Sequence, residues 1–262
     1  MRHYPAITLI TVTFNAQDTI ERTLKSVEEQ TYQHIEHIII DGCSGDNTLS
    51  HIRRYVERNQ HPNGHAIRTL CEPDEGLYDA MNKGIRLATG NYLVFLNAGD
   101  KLHAPDTLER MAEQIDWDPD SRNYAVVYGQ TNLVDNEGKF IRERRLKAPE
   151  KLTWDTFRWG MLVCHQSFYV RTDLAKAVTY DLNYRFSADY DWCIRVMKLG
   201  ESRRLQNLNT HQVLTDYLSE GLTTKNHRKS LAERFQVMAR HWGKIPAAWQ
   251  HLLFVFRAVI KR

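Results

Sequence analysis

One aspartate, Asp100, ends the segment Phe95-Leu-Asn-Ala-Gly-Asp100, in which an apolar strand-like run leads directly into a turn. A carboxylate in this place can touch a ligand or a metal ion. Mg²⁺ binds proteins through few carboxylates and completes its shell with substrate phosphates and water, so one aspartate is enough. The alternative is a helix cap, but Pro105 and Asp106 already provide a start for the next helix. The segment therefore favours a divalent-cation site at Asp100.

Two further aspartates, Asp189 and Asp191, lie in Phe186-Ser-Ala-Asp-Tyr-Asp-Trp192. A carboxylate beside aromatic surface is partly desolvated and becomes a better proton acceptor, so these two could be a general base and its helper. Taken alone, the segment is better explained as the N-terminal cap of a helix over Trp192–Leu199.

A histidine and a glutamine, His165 and Gln166, lie between the apolar runs Leu162-Val-Cys164 and Ser167-Phe-Tyr-Val170. A lone histidine with apolar neighbours is more often a hydrogen-bonded core residue than a ligand. The residue types leave both interpretations open here, as they do for His211.

Strand and helix patterns alternate through the first half of the chain. The run Ile7–Phe14 is almost continuously apolar, as in a parallel strand buried on both faces, and Ile20, Leu24 and Val27 form one helical face. The pattern recurs in strand-like runs at 35–40, 66–71 and 92–96 and helix-like runs around 52–56, 77–88 and 105–115. We therefore predict an α/β fold with a mostly parallel sheet and flanking helices.

Polar clusters follow the first four strands of this predicted sheet. Asn15 follows the first strand, Asp41 the second, Glu72-Pro-Asp74 the third and Asn97-Ala-Gly-Asp100 the fourth. Right-handed crossovers bring the carboxyl ends of such strands to one edge, where ligands bind. The sequence predicts an acidic cleft at that edge, although each cluster taken alone could be a turn or a helix cap.

The second half has shorter strand candidates, at 125–129 and 168–170, and the pattern predicts a hairpin around Asp135-Asn-Glu-Gly138. No linker or repeat interrupts it. We expect one domain over residues 1–222, followed by a basic helical tail over residues 223–262.

Composition and charge narrow the class of protein. A chain of 262 residues with 42% hydrophobic residues can bury a sizeable core, which excludes a disordered chain. The sequence contains no run of about 18 apolar residues and no secretory signal, so we expect a cytoplasmic protein. Four separated cysteines without a CxxC pair argue against a zinc site.

The net charge of +3 is unevenly distributed, because the segment from Lys225 to Arg262 holds nine basic residues and one acid, Glu233. A basic tail on an acidic body predicts contact with an anionic partner, either nucleic acid or a membrane surface.

Taken in order, the motifs resemble those of the family-2 glycosyltransferases of the GT-A fold, over about residues 5–222. The opening signature is Thr11-Val-Thr-Phe-Asn15, and the nucleotide-binding acid matches Asp41. The most specific block is Glu72-Pro-Asp-Glu-Gly-Leu-Tyr-Asp-Ala-Met-Asn-Lys-Gly84. Asn97-Ala-Gly-Asp100 matches the metal motif and Asp189 the base, whereas Asn97, Gly99 and Ala188 stand where the family often has acids.

The resemblance implies an inverting transfer of a sugar from a nucleotide donor, most simply a UDP-sugar, to an acceptor hydroxyl. Asp100 would hold Mg²⁺ or Mn²⁺, and Asp189, aided by Asp191, would be the base. His165 and Gln166, with Tyr217-Leu-Ser-Glu-Gly-Leu-Thr223, would line the acceptor side. The residues implied in nucleotide-sugar binding are Thr11, Thr13, Phe14, Asp41, Ser44, Asp79, Asn82, Lys83 and Asn97.

The family-level expectation for the acceptor is a glycan or lipid-linked glycan of bacterial surface polysaccharide assembly. In the tail, Leu231, Phe235, Met238 and Trp242 share one helical face, and Trp249, Leu252, Leu253, Phe256 and Ile260 share another. With its charge, the tail fits a helix lying on an anionic membrane surface, and the alternative is that both faces pack on the body.

Other classes of protein fit less well. A glycoside hydrolase would also use two carboxylates but has no need of nucleotide-binding residues at four strand ends. A nucleic-acid-binding module would explain only the tail, and we expect no nucleic acid partner. A nicotinamide dehydrogenase would require a GxGxxG after the first strand, which is not there.

Overall fold

The computed structural model describes residues 4–62, 64–115, 124–219 and 227–260. The strands in these ranges are β1 (Ile7–Thr13), β2 (Ile35–Asp41), β3 (Ala66–Cys71), β4 (Tyr92–Phe95), β5 (Lys101–Leu102), β6 (Tyr124–Val134), β7 (Phe140–Glu143), β8 (Phe168–Arg171) and β9 (Gln206–Leu218). The α-helices are α1 (Ile20–Glu28), α2 (Thr48–Arg58), α3 (Leu77–Leu87), α4 (Thr107–Gln114), α5 (Thr172–Ala177), α6 (Ala188–Ser202), α7 (His227–Trp242) and α8 (Lys244–Ile260). Two 3₁₀ helices cover Trp154–Trp159 and His165–Ser167.

The strands form one sheet in the order β3-β2-β1-β4-β8-β6-β9-β5, with β7 paired to the side of β6. The four strands β3, β2, β1 and β4 are parallel, as the alternating pattern predicts. The other half is mixed, because β4–β8, β6–β8, β6–β7 and β5–β9 are antiparallel and β6–β9 is parallel. The prediction of a mostly parallel sheet is therefore confirmed for the first half only.

Strands β1 and β2 lie in the middle of the parallel half, and every residue of both is buried. Burial on both faces explains their continuous apolar sequences. Helix α1 covers this half through Ile20, Leu24 and Val27. Helix α3 approaches the sheet closely at Gly84, where a Cβ atom would come within 2.4 Å of a methyl group of Ile10. Because α3 begins shortly after β3 ends, its amino end lies at the carboxyl edge of the sheet.

Helix α6 packs its aromatic residues into the centre of the molecule. Trp192 is fully buried and stacks on Tyr180, with ring centroids 4.8 Å apart, and Phe95 of β4 lies edge-on to both rings. Because these rings fix the start of α6 beside the end of β4, the first turn of α6 lies next to the Asp100 segment.

Helix α7 packs on the body, which is the alternative that the sequence left open for the tail. Val237 and Met238 are buried, and Trp242 stacks on Trp154. The Glu233 carboxylate accepts hydrogen bonds from the backbone N–H groups of residues 185, 186 and 187, at 2.7 to 3.0 Å. The predicted boundary between residues 222 and 223 and the segment Glu220–Thr223 lie outside the described residues.

Helix α8 differs from α7 in what it exposes. Its side chains Ile245, Trp249 and Leu252 are 85%, 62% and 60% exposed, and their spacing places them on one face. Within the described ranges, none of the helices is long and apolar enough to cross a membrane.

Candidate active site

The end of β2 carries Asp41, which organises the loop that follows it. The Asp41 carboxylate is 2% exposed and accepts hydrogen bonds from the backbone N–H and the hydroxyl of Ser44, both at 2.7 Å. The Ser44 hydroxyl also accepts from the backbone N–H of Asn15, at the end of β1, where φ is +47°. Asp41 and Ser44 therefore hold the carboxyl ends of β1 and β2 together through hydrogen bonds that need no ligand.

The three β1 residues expected to shape the nucleotide pocket occupy different surroundings. Thr13 pairs with Asp41 in the sheet register, and its hydroxyl is buried with no hydrogen-bond partner among the described residues. Phe14 is 62% exposed beside this edge. Thr11 is fully buried and its hydroxyl is 2.9 Å from Nε2 of His37, so the structure places it in the sheet interior rather than at the cleft.

Helix α3 positions Asp79, Asn82 and Lys83 in two groups. The Lys83 ammonium lies 3.0 Å from Glu72 and 3.5 Å from Asp79, and it donates to the carbonyl of Pro73. This group lies after β3 at the sheet edge. The Asn82 amide instead exchanges two hydrogen bonds with the backbone of Tyr180, which ties α3 to the loop before α6.

The turn after β4 is shaped for Asp100 by a glycine and by helix α1. Gly99 has φ of +100°, a conformation that glycine adopts without strain. The Thr23 hydroxyl accepts from the Gly99 N–H and donates to the Asp100 carbonyl at 2.6 Å. Arg22 donates to the Gly99 carbonyl and to the carbonyl of Asp135 in the β6–β7 hairpin. The turn is therefore fixed from two sides.

The Asp100 carboxylate is 3% exposed and is held by two donors. One oxygen accepts from the Gln166 amide at 3.0 Å and the other from the backbone N–H of Leu218 at 2.9 Å. Burial raises the pKa of Asp100 to about 6, although both hydrogen bonds oppose the rise. Gln166, which the sequence assigns to the acceptor side, is thus a direct partner of the aspartate predicted to bind metal.

The donors near Asp100 suit a hard divalent cation. The Asn97 side-chain oxygen, in the same turn, is buried and has no hydrogen-bond partner in the described chain. Carboxylate and amide oxygens are ligands that Mg²⁺ and Mn²⁺ prefer. The described residues contain no group of three or more acidic, histidine or cysteine side chains that could hold a metal. A cation bound here would therefore depend on one carboxylate together with oxygen atoms of a ligand.

The second carboxylate of the cleft is Asp189, in the first turn of α6. One oxygen lies 3.4 Å from Nδ1 of His165, and the other accepts from the Tyr78 hydroxyl at 3.2 Å. Burial acts to raise the pKa of Asp189, but the hydrogen bond and charge of His165, with the charge of Arg234, lower it overall. The carboxylate is therefore ionised near neutral pH, and its side chain is 25% exposed.

Asp191 lies elsewhere, although it is only two residues further along α6. Its carboxylate has no exposed surface and is bound by Arg195 at 2.5 Å and by His241 of α7 at 2.9 Å. Asp191 thus joins α6 to the tail, and the structure does not bring it to the cleft with Asp189.

The structure shows contacts between site residues that the sequence did not predict. The 3₁₀ turn His165–Ser167 connects the cleft carboxylates, since His165 contacts Asp189 and Gln166 contacts Asp100. Tyr78 lies inside the most specific sequence block, Glu72 to Gly84, so the sequence motif could have identified it as a site residue. Leu218 contributes only its backbone N–H, for which no sequence signal exists.

Comparison with known proteins gives a family match. A family model described as Glycosyl transferase family 2 matches residues 8–178, which is more than half of the chain. An uncharacterized glycosyltransferase of Mycobacterium tuberculosis is 34% identical over 205 residues, covering 77% of this chain and 72% of the relative. A glycosyltransferase of Mycobacterium bovis described as acting in PGL/p-HBAD biosynthesis is 29% identical over 256 residues, covering 92% of each chain.

A solved structure shows the same fold. The crystal structure of S. aureus TarS 1-349 in complex with UDP-GlcNAc matches with a TM-score of 0.61 and 17% identity, covering 88% of this chain. The match spans 64% of the TarS chain, so this chain is shorter than that protein. The predicted GT-A fold is confirmed, with the mixed sheet and flanking helices described above.

Proposed function

This chain belongs to glycosyl transferase family 2 and is a glycosyltransferase, and from that premise we propose an inverting transfer of a sugar from a UDP-sugar to an acceptor hydroxyl. The observation that carries this proposal is the 3₁₀ turn at His165–Ser167. It holds a quarter-exposed carboxylate, Asp189, beside a second, buried carboxylate, Asp100. Asp189 is suited to take a proton from the acceptor. Asp100 is suited to bind a cation that would also contact the donor diphosphate.

Asp189 acts as the general base. The acceptor hydroxyl gives its proton to Asp189 while its oxygen forms a bond to the anomeric carbon, and the bond from that carbon to the diphosphate oxygen breaks on the opposite face. The configuration inverts and UDP leaves. His165 and Tyr78 orient the Asp189 carboxylate. Because its pKa is lowered, this carboxylate is ionised at neutral pH and can accept the proton.

Asp41, Ser44 and Thr13 bind the nucleotide at the ends of β1 and β2. The Thr13 hydroxyl, which has no partner within the described ranges, is available to a ligand, and the exposed Phe14 offers a face on which a base can pack. Lys83 and Asp79 lie one strand further, beyond β3, within the same edge. The UDP-GlcNAc bound to the structurally similar TarS supports the choice of a UDP-sugar.

Asp100 and Asn97 hold a divalent cation, Mg²⁺ or Mn²⁺. When bound, such an ion neutralises the charge that develops on the leaving diphosphate. Gln166 and the Leu218 N–H orient the Asp100 carboxylate.

The acceptor is a glycan or a lipid-linked glycan of surface polysaccharide assembly, and α8 brings the enzyme to an anionic membrane surface. The exposed face of Ile245, Trp249 and Leu252 lies in a segment whose sequence holds nine basic residues and one acid, a combination typical of helices that lie in the headgroup plane. In contrast to α7, this face has no described partner on the body. The family match does not favour a glycoside hydrolase or a nucleic-acid-binding module.

Calorimetric titration of UDP with and without Mn²⁺ tests this function. We expect Asp100→Ala to weaken Mn²⁺-dependent UDP binding by about tenfold or more, because the protein supplies so few other cation ligands. Asp106→Ala is the matched control, since Asp106 is a half-exposed aspartate six residues away. An unchanged affinity in Asp100→Ala would contradict the assignment. A parallel screen of UDP-, GDP- and dTDP-sugars for protection against thermal unfolding identifies the donor.

A further inference from the structure

A basic cavity of about 270 Å³ opens beside the Asp100 turn. Three arginines line it, Arg142, Arg144 and Arg145, together with the side chains of Leu133 and Tyr217. None of the described residues that line it is acidic, and none comes from β1, β2 or β3. The cavity is therefore positively charged and separate from the nucleotide edge.

The three guanidinium groups differ in what holds them. Arg144 is fixed by the backbone carbonyls of Met161, Leu162 and Leu146. Arg142 donates to the carbonyl of Glu143 at 3.3 Å, and Arg145 makes no hydrogen bond or ion pair with any residue in the described ranges.

No carboxylate in these ranges compensates the three charges. The neighbouring acid, Glu143, pairs with Lys147 at 2.7 Å. Arg142 and Arg145 are exposed and Arg144 is partly buried, so the three guanidinium groups form an anion site without a carboxylate partner in these ranges.

The cavity adjoins both carboxylates of the active site. In the sheet register, Leu133 lies between Arg142 and Tyr217, and the next residue after Tyr217 donates its N–H to Asp100. Two of the three carbonyls that hold Arg144, those of Met161 and Leu162, belong to the segment leading into the turn that contacts Asp189. Burial raises the pKa of Tyr217, which lines the cavity, and the charges of Asp100 and Asp189 raise it further, so both carboxylates lie near this wall of the cavity.

We propose that this cavity binds a phosphate ester carried by the acceptor, so that the acceptor is a phosphorylated glycan or a glycan linked through phosphate. Guanidinium groups match phosphate oxygens in a bidentate geometry, and Leu133 with Tyr217 accommodates the organic part of an ester. The naming of the ligand as an acceptor rests on the proposed function. The proposed function places the donor diphosphate at Asp100 and the nucleotide at Asp41, neither of which lines the cavity.

The test uses the full chain with saturating UDP and Mg²⁺, so that the donor site is filled. Glycerol 3-phosphate is the probe, and its binding is followed by chemical-shift titration of the arginine side-chain N–H groups. The variant is Arg142→Gln/Arg145→Gln. The control is Arg53→Gln/Arg86→Gln, which removes two exposed arginines from α2 and α3 and leaves the same net charge.

We expect the cavity variant to bind glycerol 3-phosphate about tenfold more weakly than the wild type, with the control within about twofold. Affinity for UDP should be the same in all three proteins. Equal glycerol 3-phosphate affinity in the variant and the control overturns the proposal. A parallel loss of UDP affinity also overturns it, because the cavity would then serve the donor.

A lipid headgroup is the other source of the same phosphate chemistry. If the two arginines affect only sedimentation with phosphatidylglycerol vesicles, and not glycerol 3-phosphate binding, the acceptor assignment is overturned. Failure of the proposed function would give a different result. UDP binding would then not depend on Asp100, whereas glycerol 3-phosphate binding would still depend on the arginines.

Discussion

The first turn of α6 places two aspartates in opposite surroundings. Asp189 faces the cleft, is a quarter exposed and is held by one hydroxyl and one imidazole. Asp191 has no exposed surface and is held by Arg195 and His241, which belong to α6 and to the tail. Residues two apart on a helix point about 200° from each other, so one helical turn serves both the cleft and the tail. Chemical type alone does not separate a base from a structural anchor.

The largest effect that we expect from this contrast is on turnover. Asp189→Asn removes the charge and keeps the shape, and we expect turnover to fall by about 10²- to 10⁴-fold with UDP affinity nearly unchanged, because the proton acceptor is lost. Steady-state kinetics and calorimetry measure the two quantities. The control is Asp191→Asn, whose turnover per folded molecule should stay within about threefold of the wild type. A loss of turnover in Asp191→Asn but not in Asp189→Asn would assign the role of general base to Asp191.

Much of the donor side could be predicted from the sequence, because its residues lie in short motifs directly after strands. The ends of β2 and β4 carry Asp41, Asn97 and Asp100 within short motifs, and a parallel sheet brings its strand ends to one edge whatever its details. Helix α3 and strands β1 to β4 lie within two residues of the predicted bounds.

The acceptor side could not be predicted in the same way. The contact from Gln166 to Asp100 spans 66 residues, and the contact from the Leu218 N–H spans 118. Both depend on the mixed sheet order of β8, β6 and β9, which sequence periodicity does not determine. For the same reason, the distinction between Asp189 and Asp191 needed the position of α7.

The next effect is on the free energy of unfolding, and it tests whether Asp191 anchors the tail to α6. Asp191→Asn should lower the free energy of unfolding by about 2 to 4 kcal/mol, because it leaves Arg195 and His241 without their buried counter-charge. Chemical unfolding measures this loss. Asp181→Asn is the control, since Asp181 also pairs with the tail, through Arg240, but is 22% exposed and should cost about 1 kcal/mol or less.

The pH dependence of the Asp191 contribution follows from its pKa. Burial acts to raise this pKa, but His241 and Arg195 lower it below the usual 3.8. A carboxyl group with a lowered pKa in the folded state stabilises the protein above its unfolded pKa and loses that contribution as the pH falls. The wild type and Asp191→Asn should therefore converge in stability as the pH falls through this lowered pKa. A difference that stays constant with pH would contradict the ionic anchor.

A smaller effect of opposite sign is expected at Asp100. Burial raises its pKa to about 6, so the folded protein binds this proton more tightly than the unfolded chain, and stability decreases as the pH rises from about 4 to 6. Asp100→Asn lacks this ionisation. It should be more stable than the wild type by about 1 to 3 kcal/mol at pH 7.5, and the difference should vanish near pH 4. Thermal unfolding across this range measures it, and a less stable variant at pH 7.5 would contradict the buried charge.

The smallest effect separates the two helices of the tail. If α7 is an anchor and α8 a membrane contact, removing an exposed ring from α8 should weaken membrane binding and leave stability unchanged. We expect Trp249→Ser to reduce sedimentation with phosphatidylglycerol vesicles by about tenfold, with little binding of any variant to phosphatidylcholine vesicles. Leu182→Ser is the matched control, because Leu182 is a 50% exposed apolar residue on the body. Added salt should weaken the wild-type binding, since screening shortens the reach of the basic residues. If Trp249→Ser and Leu182→Ser sediment alike, the exposed face of α8 does not contact the membrane and the tail serves only as a packing element.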